Sequence, residues 1–167
     1  RFKTLLQGNV DAIYFNEKLY IGKREEVFVY NESTGNFDLY YHLAGKDITL
    51  SCLHLDEKKN LWMGTTSNGI YCLSEDKSLS RPVTKGNITS IYEDSSNELW
   101  IGSWEEGLYR VKTDGNIEKL RHNPMNTNSL CSNFVRSCCE DNSGDLWIGT
   151  FNGLNRYDRE TGKFHLY

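Results

Sequence analysis

The sequence predicts an all-β protein built from repeated small sheets, and three observations support this prediction. Aromatic residues make up 13% of the chain whereas Pro occurs only twice, a composition that suits twisted strands. Apolar residues show no helical periodicity along the chain. One four-residue segment recurs as Leu19-Tyr20-Ile21-Gly22, Leu61-Trp62-Met63-Gly64, Leu99-Trp100-Ile101-Gly102 and Leu146-Trp147-Ile148-Gly149.

The spacing of this segment predicts the architecture. Its aromatic residues are separated by 42, 38 and 47 positions, close to the period of a four-stranded propeller blade and too long for leucine-rich or ankyrin repeats. Between them, short apolar stretches alternate with polar, Gly-containing turns, which indicates four antiparallel strands per copy. We therefore predict a β-propeller segment of about four blades. The predicted ranges are 1–9 (last strand of a preceding blade), 10–43, 48–83, 87–122 and 133–167.

Three kinds of residue occupy equivalent places in the repeat and are predicted to be structural. An Asp (Asp56, Asp94, Asp141) lies six positions before each Trp, where its carboxylate can cap the turn between the first two strands. The aromatic residue (Tyr20, Trp62, Trp100, Trp147) is expected to pack on the neighbouring sheet, and burying about 200 Å² of ring contributes about 5 kcal/mol before entropy. The following Gly (Gly22, Gly64, Gly102, Gly149) lets backbones approach closely where blades converge.

Composition excludes several other classes of function. With 19 basic and 23 acidic residues spread along 167 positions, the chain has no basic stripe to bind nucleic acid. It has no apolar run long enough to span a membrane. Its five cysteines form no CxxC pair and are predicted to be thiols rather than disulfides. The four histidines lack metal-ligand spacing, so we expect neither a metal site nor a cofactor.

The last repeat carries a resemblance to a known family. Residues 140–158 read EDNSGDLWIGTFNGLNRYD and residues 161–164 read TGKF. This pattern resembles the two-component regulator propeller repeat, and the stretch from His122 to Leu130 is similar to that family's connection between blades. The first copy departs from the pattern, with Tyr20 in place of Trp and Val27 in place of the second Gly.

This resemblance implies a role in signalling. Members carry propellers of about seven blades outside the cell membrane, joined to a further β domain, a membrane helix and a cytoplasmic histidine kinase. The resemblance thus implies a periplasmic sensor module without enzymatic activity, a piece of a larger ring whose partners are the remaining blades and domains of the parent sensor. An oligosaccharide ligand is expected from family members that control glycan use. A homodimer, a small closed ring and an open arc all remain compatible with four blades.

One turn stands out as a candidate ligand site. Trp104 occupies a position where sister repeats have Thr66 and Phe151, and it is followed by Glu105 and Glu106. An exposed indole beside carboxylates suits the apolar face of a sugar. The predicted ligand-binding set is Trp104, Glu105, Glu106, Arg136, Phe151 and Asn152. The alternatives are that Trp104 and Phe151 pack across neighbouring blades, that the chain belongs to a polysaccharide lyase or glycosidase, or that it is a passive protein-interaction ring.

Overall fold

The computed structural model describes residues 9–45 and 47–167 as sixteen strands in four sheets. The first sheet holds β1 (Ala12–Asn16), β2 (Lys18–Lys23), β3 (Glu26–Asn31) and β4 (Asn36–His42). The second holds β5 (Leu50–Leu55), β6 (Leu61–Thr65), β7 (Ile70–Leu73) and β8 (Leu79–Val83). The third holds β9 (Asn87–Glu93), β10 (Leu99–Trp104), β11 (Leu108–Val111) and β12 (Ile117–Leu120). The fourth holds β13 (Val135–Glu140), β14 (Leu146–Thr150), β15 (Gly153–Asp158) and β16 (Lys163–Leu166).

Each sheet is an antiparallel meander whose strands pair in chain order, and we call the four sheets blades 1 to 4. The first strands of successive blades contact one another, β1 with β5, β5 with β9 and β9 with β13. These strands therefore form the inner side of the assembly, and the fourth strands form its outer side. The prediction of an all-β propeller segment is confirmed. The strand predicted at 1–9 falls, except for its last residue, outside the described residues.

The hydrophobic core consists of three clusters, each lying between two consecutive blades. Tyr20 packs with Leu50 and Leu61 of blade 2, and Trp62 packs with Ile88 and Ile101 of blade 3. Trp100, which is fully buried, packs with residues of blade 4 that include Tyr157. In blades 1 to 3 the aromatic residue of the second strand thus extends the core of its own blade into the next one.

In blades 1 to 3 the glycine two positions after the aromatic residue lies where two blades come closest. A Cβ added to Gly64 would lie 2.8 Å from Ile88 Cγ2 of blade 3, and one added to Gly102 would lie 2.8 Å from Val135 Cγ1 of blade 4. Both distances are too short for non-bonded carbon atoms. The close approach of the inner strands therefore depends on the missing side chain at these positions.

Within the part of the chain that the structure describes, the two ends of the assembly present unpaired blade faces. Ile13 and Phe15 on β1 are 69% and 73% exposed, while Ala12 of the same strand is buried towards blade 2. At the other end Trp147 is only half-buried, with its ring 5.2 Å from that of the exposed Tyr167. Among the described residues, no core cluster combines blades 1 and 4. The described residues therefore form an open arc rather than a small closed ring.

Candidate functional site

An aromatic row lies on the end of the arc where the second strand of each blade turns into the third. Trp104 ends β10 of blade 3, and its backbone forms an antiparallel bridge with Phe134, which directly precedes β13 of blade 4. The ring centroids of Trp104 and Phe134 are 5.2 Å apart in an edge-to-face arrangement. The ring centroids of Phe134 and Phe151 are 6.2 Å apart. The three rings therefore form a continuous apolar strip across two blades.

Exposure differs along this aromatic row. Trp104 and Phe134 are half-buried, whereas Phe151 is 67% exposed. The indole of Trp104 is therefore less exposed than predicted, because Phe134 covers part of the ring from the adjacent blade, in keeping with the alternative that Trp104 packs across neighbouring blades. Phe151 meets Phe134 within blade 4. The most accessible aromatic surface of the row is that of Phe151.

Arg136 completes the row with a positive charge. Its guanidinium carbon lies 4.6 Å from the centre of the Trp104 ring, a cation–π contact between blades 4 and 3. Stacking of this kind occupies the flat face of a guanidinium and leaves its in-plane N–H donors available. Arg136 is itself exposed. Its donors therefore point to the surface beside the aromatic strip.

The position of Arg136 has a different role in the sister blades. Ser51, Thr89 and Arg136 each lie eleven residues before the Trp of their blade, at an irregularity in the register of the first strand. The Ser51 hydroxyl donates to the Ile88 carbonyl of blade 3 at 2.5 Å, and the Thr89 hydroxyl donates to the Val135 carbonyl of blade 4 at 2.7 Å. Arg136 has no hydroxyl for such a link. Arg136 instead contacts Trp104 of the preceding blade through its guanidinium.

The two acids that follow Trp104, Glu105 and Glu106, differ in how free their carboxylates are to accept a hydrogen bond from a ligand. Glu106 pairs with Lys119 and, at 3.2 Å, with Arg121. The hydrogen bond from Lys119 is the main cause that lowers the pKa of Glu106. Glu105 is exposed and adopts a left-handed φ of 88° in the turn between β10 and β11. Glu105 is the better placed of the two to accept a hydrogen bond from a ligand.

The remaining predicted residue closes the neighbouring turn. The backbone N–H of Asn152 donates to the Thr150 hydroxyl at 3.2 Å, and that hydroxyl donates to the Gly153 carbonyl at 2.9 Å. Asn152 is exposed next to Phe151. The structure therefore places Trp104, Arg136 and Phe151 along one strip, with Glu105 and Asn152 in the turns that carry its two ends. Sequence reasoning missed Phe134, although an aromatic residue directly before an inner strand was the available signal.

The repeated acids serve the blades themselves. In each of blades 2, 3 and 4 the indole N–H donates to the Asp six residues earlier: Trp62 to Asp56 at 2.8 Å, Trp100 to Asp94 at 2.7 Å and Trp147 to Asp141 at 2.8 Å. The other carboxylate oxygen accepts the backbone N–H four residues on, from Asn60, Glu98 and Asp145. One carboxylate thus caps the turn and holds the indole.

The glutamates that precede two of these Asp residues link one blade to the previous one. Glu93 accepts the backbone N–H of Glu57 at 3.2 Å and pairs with His54 at 3.0 Å. Glu140 accepts both the backbone N–H and the hydroxyl of Ser95 at 2.7 Å. Each acid of the Glu-Asp pairs is therefore engaged in a turn, and successive pairs lie in successive blades rather than converging on one point.

Four antiparallel sheets packed side by side through their inner strands define the chain as a β-propeller segment. Residues 82–105 and 129–152 match the family model described as two component regulator propeller, so these two segments are similar to the repeats of that family. Both matched segments include a Trp of the repeat and an end of the aromatic row. No curated protein matches the sequence at a significant level.

Solved structures with the same fold include two sensor proteins and one enzyme. The extracellular domain of the hybrid two-component system BT3049 from B. thetaiotaomicron is 24% identical, with a TM-score of 0.73 over 95% of this chain and 22% of that one. That of BT4673 is 21% identical, with a TM-score of 0.73 over 87% of this chain and 21% of that one. Virginiamycin B lyase from Staphylococcus aureus is 16% identical, with a TM-score of 0.73 over 95% of this chain and 55% of that one. At these identities the likeness establishes the fold alone.

The chain spans about a fifth of the length of the two sensor domains it resembles. Four blades therefore correspond to part of a larger propeller region. Within the described residues, no helix is long and apolar enough to cross a bilayer.

Proposed function

We propose that this chain is part of the extracytoplasmic, periplasmic sensor region of a two-component regulator and that it binds a glycan-derived oligosaccharide. The two-component regulator propeller repeats support the signalling role. The fold shared with extracellular domains of hybrid two-component systems supports the location. The choice of an oligosaccharide as ligand is supported by the aromatic row of Trp104, Phe134 and Phe151 with Arg136 beside it.

The chemistry of the row suits a sugar ring. The C–H face of a pyranose is apolar and packs on an aromatic surface, here the exposed ring of Phe151. Sugar hydroxyls need partners of both kinds, and the strip offers N–H donors on Arg136 and a carboxylate acceptor on Glu105. A guanidinium also pairs with carboxylates, so oligosaccharides that contain a uronic acid are the strongest expectation.

Signalling then requires that the ligand favour one arrangement of the sensor over another. The outer strands β4, β8, β12 and β16 leave sheet edges that can pair with a second chain, and Leu39 on β4 is 56% exposed. A ligand that bridges blades 3 and 4 along the aromatic row stiffens their junction. We propose that this changes how two propellers pair.

Calorimetric titration of the intact sensor region with a panel of neutral and uronic-acid oligosaccharides tests this function. The variants are Arg136→Ala and Phe151→Ala, with Phe37→Ala as a control because Phe37 forms a comparable aromatic pair with Tyr30 on β3 and β4. We expect the first two variants to bind at least about tenfold more weakly and the control to bind with unchanged affinity. Unchanged binding by both site variants would contradict the proposed site. Turnover of a polysaccharide by the same protein would favour a lyase or glycosidase.

A further inference from the structure

A second concave feature lies at the opposite end of the sheets from the aromatic row. It is a groove of about 330 Å³ between blades 2 and 3, under the turn that joins β11 to β12. Its apolar lining includes Trp62, Leu99 and Val111, and its acidic lining includes Asp56 and Glu93. The two ends of an antiparallel sheet are separated by the length of its strands, so this groove is independent of the site proposed above.

The groove exists because three side chains of blade 3 are smaller than their counterparts in blade 4. In the strand register Trp100 lies opposite Arg110 of blade 3, and Trp147 lies opposite Arg156 of blade 4. Counting onward from these two arginines, Val111 corresponds to Tyr157 and Thr113 corresponds to Arg159. Val111 pairs with Ile117 as Tyr157 pairs with Phe164. The gap between blades 3 and 4 therefore holds Tyr157, Phe164 and Arg159, whereas the gap between blades 2 and 3 holds Val, Ile and Thr.

In the gap between blades 3 and 4, two acids bind the guanidinium of Arg159. Its guanidinium donates to Asp94 Oδ2 at 2.8 Å, to Glu140 Oε1 at 3.2 Å and to the Gly144 carbonyl at 3.1 Å. Asp94 and Glu140 belong to different blades, so one guanidinium bridges two carboxylates across the junction. Planar, bidentate recognition of this kind is specific to arginine among the cationic side chains.

The equivalent acids of the groove are Asp56 and Glu93, and both are largely buried. The Glu93 side chain is 13% exposed and Asp56 is 7% exposed. Within the described residues, neither acid forms an ion pair with Lys or Arg. Glu93 pairs with His54 and accepts the Glu57 backbone N–H, and Asp56 Oδ2 accepts the Asn60 side-chain amide at 2.9 Å as well as the Trp62 indole N–H. Lys58 reaches over the rim to the Thr113 carbonyl at 3.2 Å, and Lys112 pairs with Glu118. The position that Arg159 fills in the sister gap thus has the carboxylates and the space, without the guanidinium.

We propose that the groove between blades 2 and 3 is a binding site for a guanidinium group, such as the arginine side chain of a peptide or protein segment. The bound group lies between Asp56 and Glu93 as Arg159 lies between Asp94 and Glu140. The apolar lining around Trp62 accommodates the aliphatic part of the arginine side chain. Lys58 moves aside with the loss of one hydrogen bond, and the guanidinium takes the place of the Asn60 side-chain amide on Asp56 Oδ2, as Arg159 shares Asp94 Oδ2 with Trp100.

The test is an NMR titration of the intact protein with Nα-acetyl-arginine amide, observed at the Trp62 indole N–H, which is bonded to Asp56. Nα-acetyl-lysine amide and Nα-acetyl-norleucine amide are the comparison probes. We expect a saturable shift with the arginine probe and at least about tenfold weaker binding by the other two. The variant Glu93→Gln is expected to weaken binding of the arginine probe by a similar factor.

A variant that supplies the missing group makes the test decisive. Thr113→Arg introduces the residue found at the equivalent place in blade 4, and it is expected to move the Trp62 indole signal without any probe, to abolish probe binding and to raise Tm. Thr113→Gln, which is polar but neutral and shorter than arginine, is the control and is expected to do none of these. Equal binding of all three probes, absence of binding, or unchanged affinity in Thr113→Arg would each overturn the proposal.

Discussion

The indole N–H of Trp100 donates to Asp94 Oδ2 at 2.7 Å, and both side chains are fully buried at the junction of blades 3 and 4. The same bond holds Trp62 to Asp56 and Trp147 to Asp141, but burial differs between them. Trp62 is buried, whereas Trp147 at the open end of the arc is half-buried. One interaction therefore occurs in three environments, which allows its contribution to be measured by comparison.

Replacing Asp94 by Ala is expected to destabilise the protein strongly. It leaves the Trp100 indole N–H without an acceptor in the core and removes a partner of Arg159. The loss of one partner of a buried, charged pair costs about 3 kcal/mol. Asp141→Ala removes the equivalent carboxylate at an exposed position and serves as the matched control. Urea unfolding followed by fluorescence should show the larger loss of unfolding free energy for Asp94→Ala, and equal losses would contradict this account.

The same carboxylate makes stability depend on acidic pH. Burial works to raise the pKa of Asp94, but the hydrogen bonds from Trp100 and Arg159 outweigh it and the net pKa lies below its usual value. A lowered folded-state pKa gives a contribution that is complete above the unfolded pKa of about 3.9 and is lost as pH falls through the folded value. Asp94→Asn should flatten this acidic limb of the stability curve. Glu75→Gln, at an exposed turn, should leave the limb unchanged.

The repeat glycines offer a test of close packing between blades. A Cβ at Gly102 would lie 2.5 Å from Ser90 Oγ and 2.8 Å from Val135 Cγ1 of the next blade. A Cβ at Gly149 would lie 3.1 Å from Ser137 Oγ and no closer to anything else among the described residues. We expect Gly102→Ala to cost about 1–3 kcal/mol by overpacking and Gly149→Ala to cost less. Thermal unfolding of the two variants checks the order, and a reversed order would be inconsistent with the packing described.

Thiol reactivity should follow burial. All five cysteines are free thiols, and burial raises the pKa of Cys52 and of Cys138 to about 12. The thiolate is the reactive form, so both should resist alkylation in the folded protein at pH 8. Cys139 is exposed and should react with iodoacetamide first. Peptide mass spectrometry after brief labelling identifies the modified residue, and preferential modification of Cys52 would show that the β5 region opens readily.

The sequence predicted the fold to the level of strands because the repeat carries the information locally. The aromatic segment marks a hairpin in each copy, with an Asp six residues before it in the last three copies, and a hairpin is a short-range structure. The Asp was expected to cap a turn, but its bond to the indole was missed. That bond joins the turn at one end of the hairpin to a side chain on the second strand, which spacing alone does not reveal.

Contacts between blades were the part that sequence reasoning could not supply. Arg159 and Asp94 are 65 positions apart, and Phe134 meets Trp104 across a blade junction. Such pairs depend on how one sheet packs on the next. Trp104 is less exposed than predicted for this reason, since the turn that carries it looks open when its own blade is considered alone.

Hydrogen exchange at the four indole N–H groups, followed by NMR, tests most directly whether Asp–Trp pairs within blades hold the indoles that are buried between blades. The account predicts the slowest exchange at Trp100 and Trp62, faster exchange at Trp147, and fast exchange at Trp104, which has no Asp at the repeat position. Similar, fast exchange at all four indoles would contradict it.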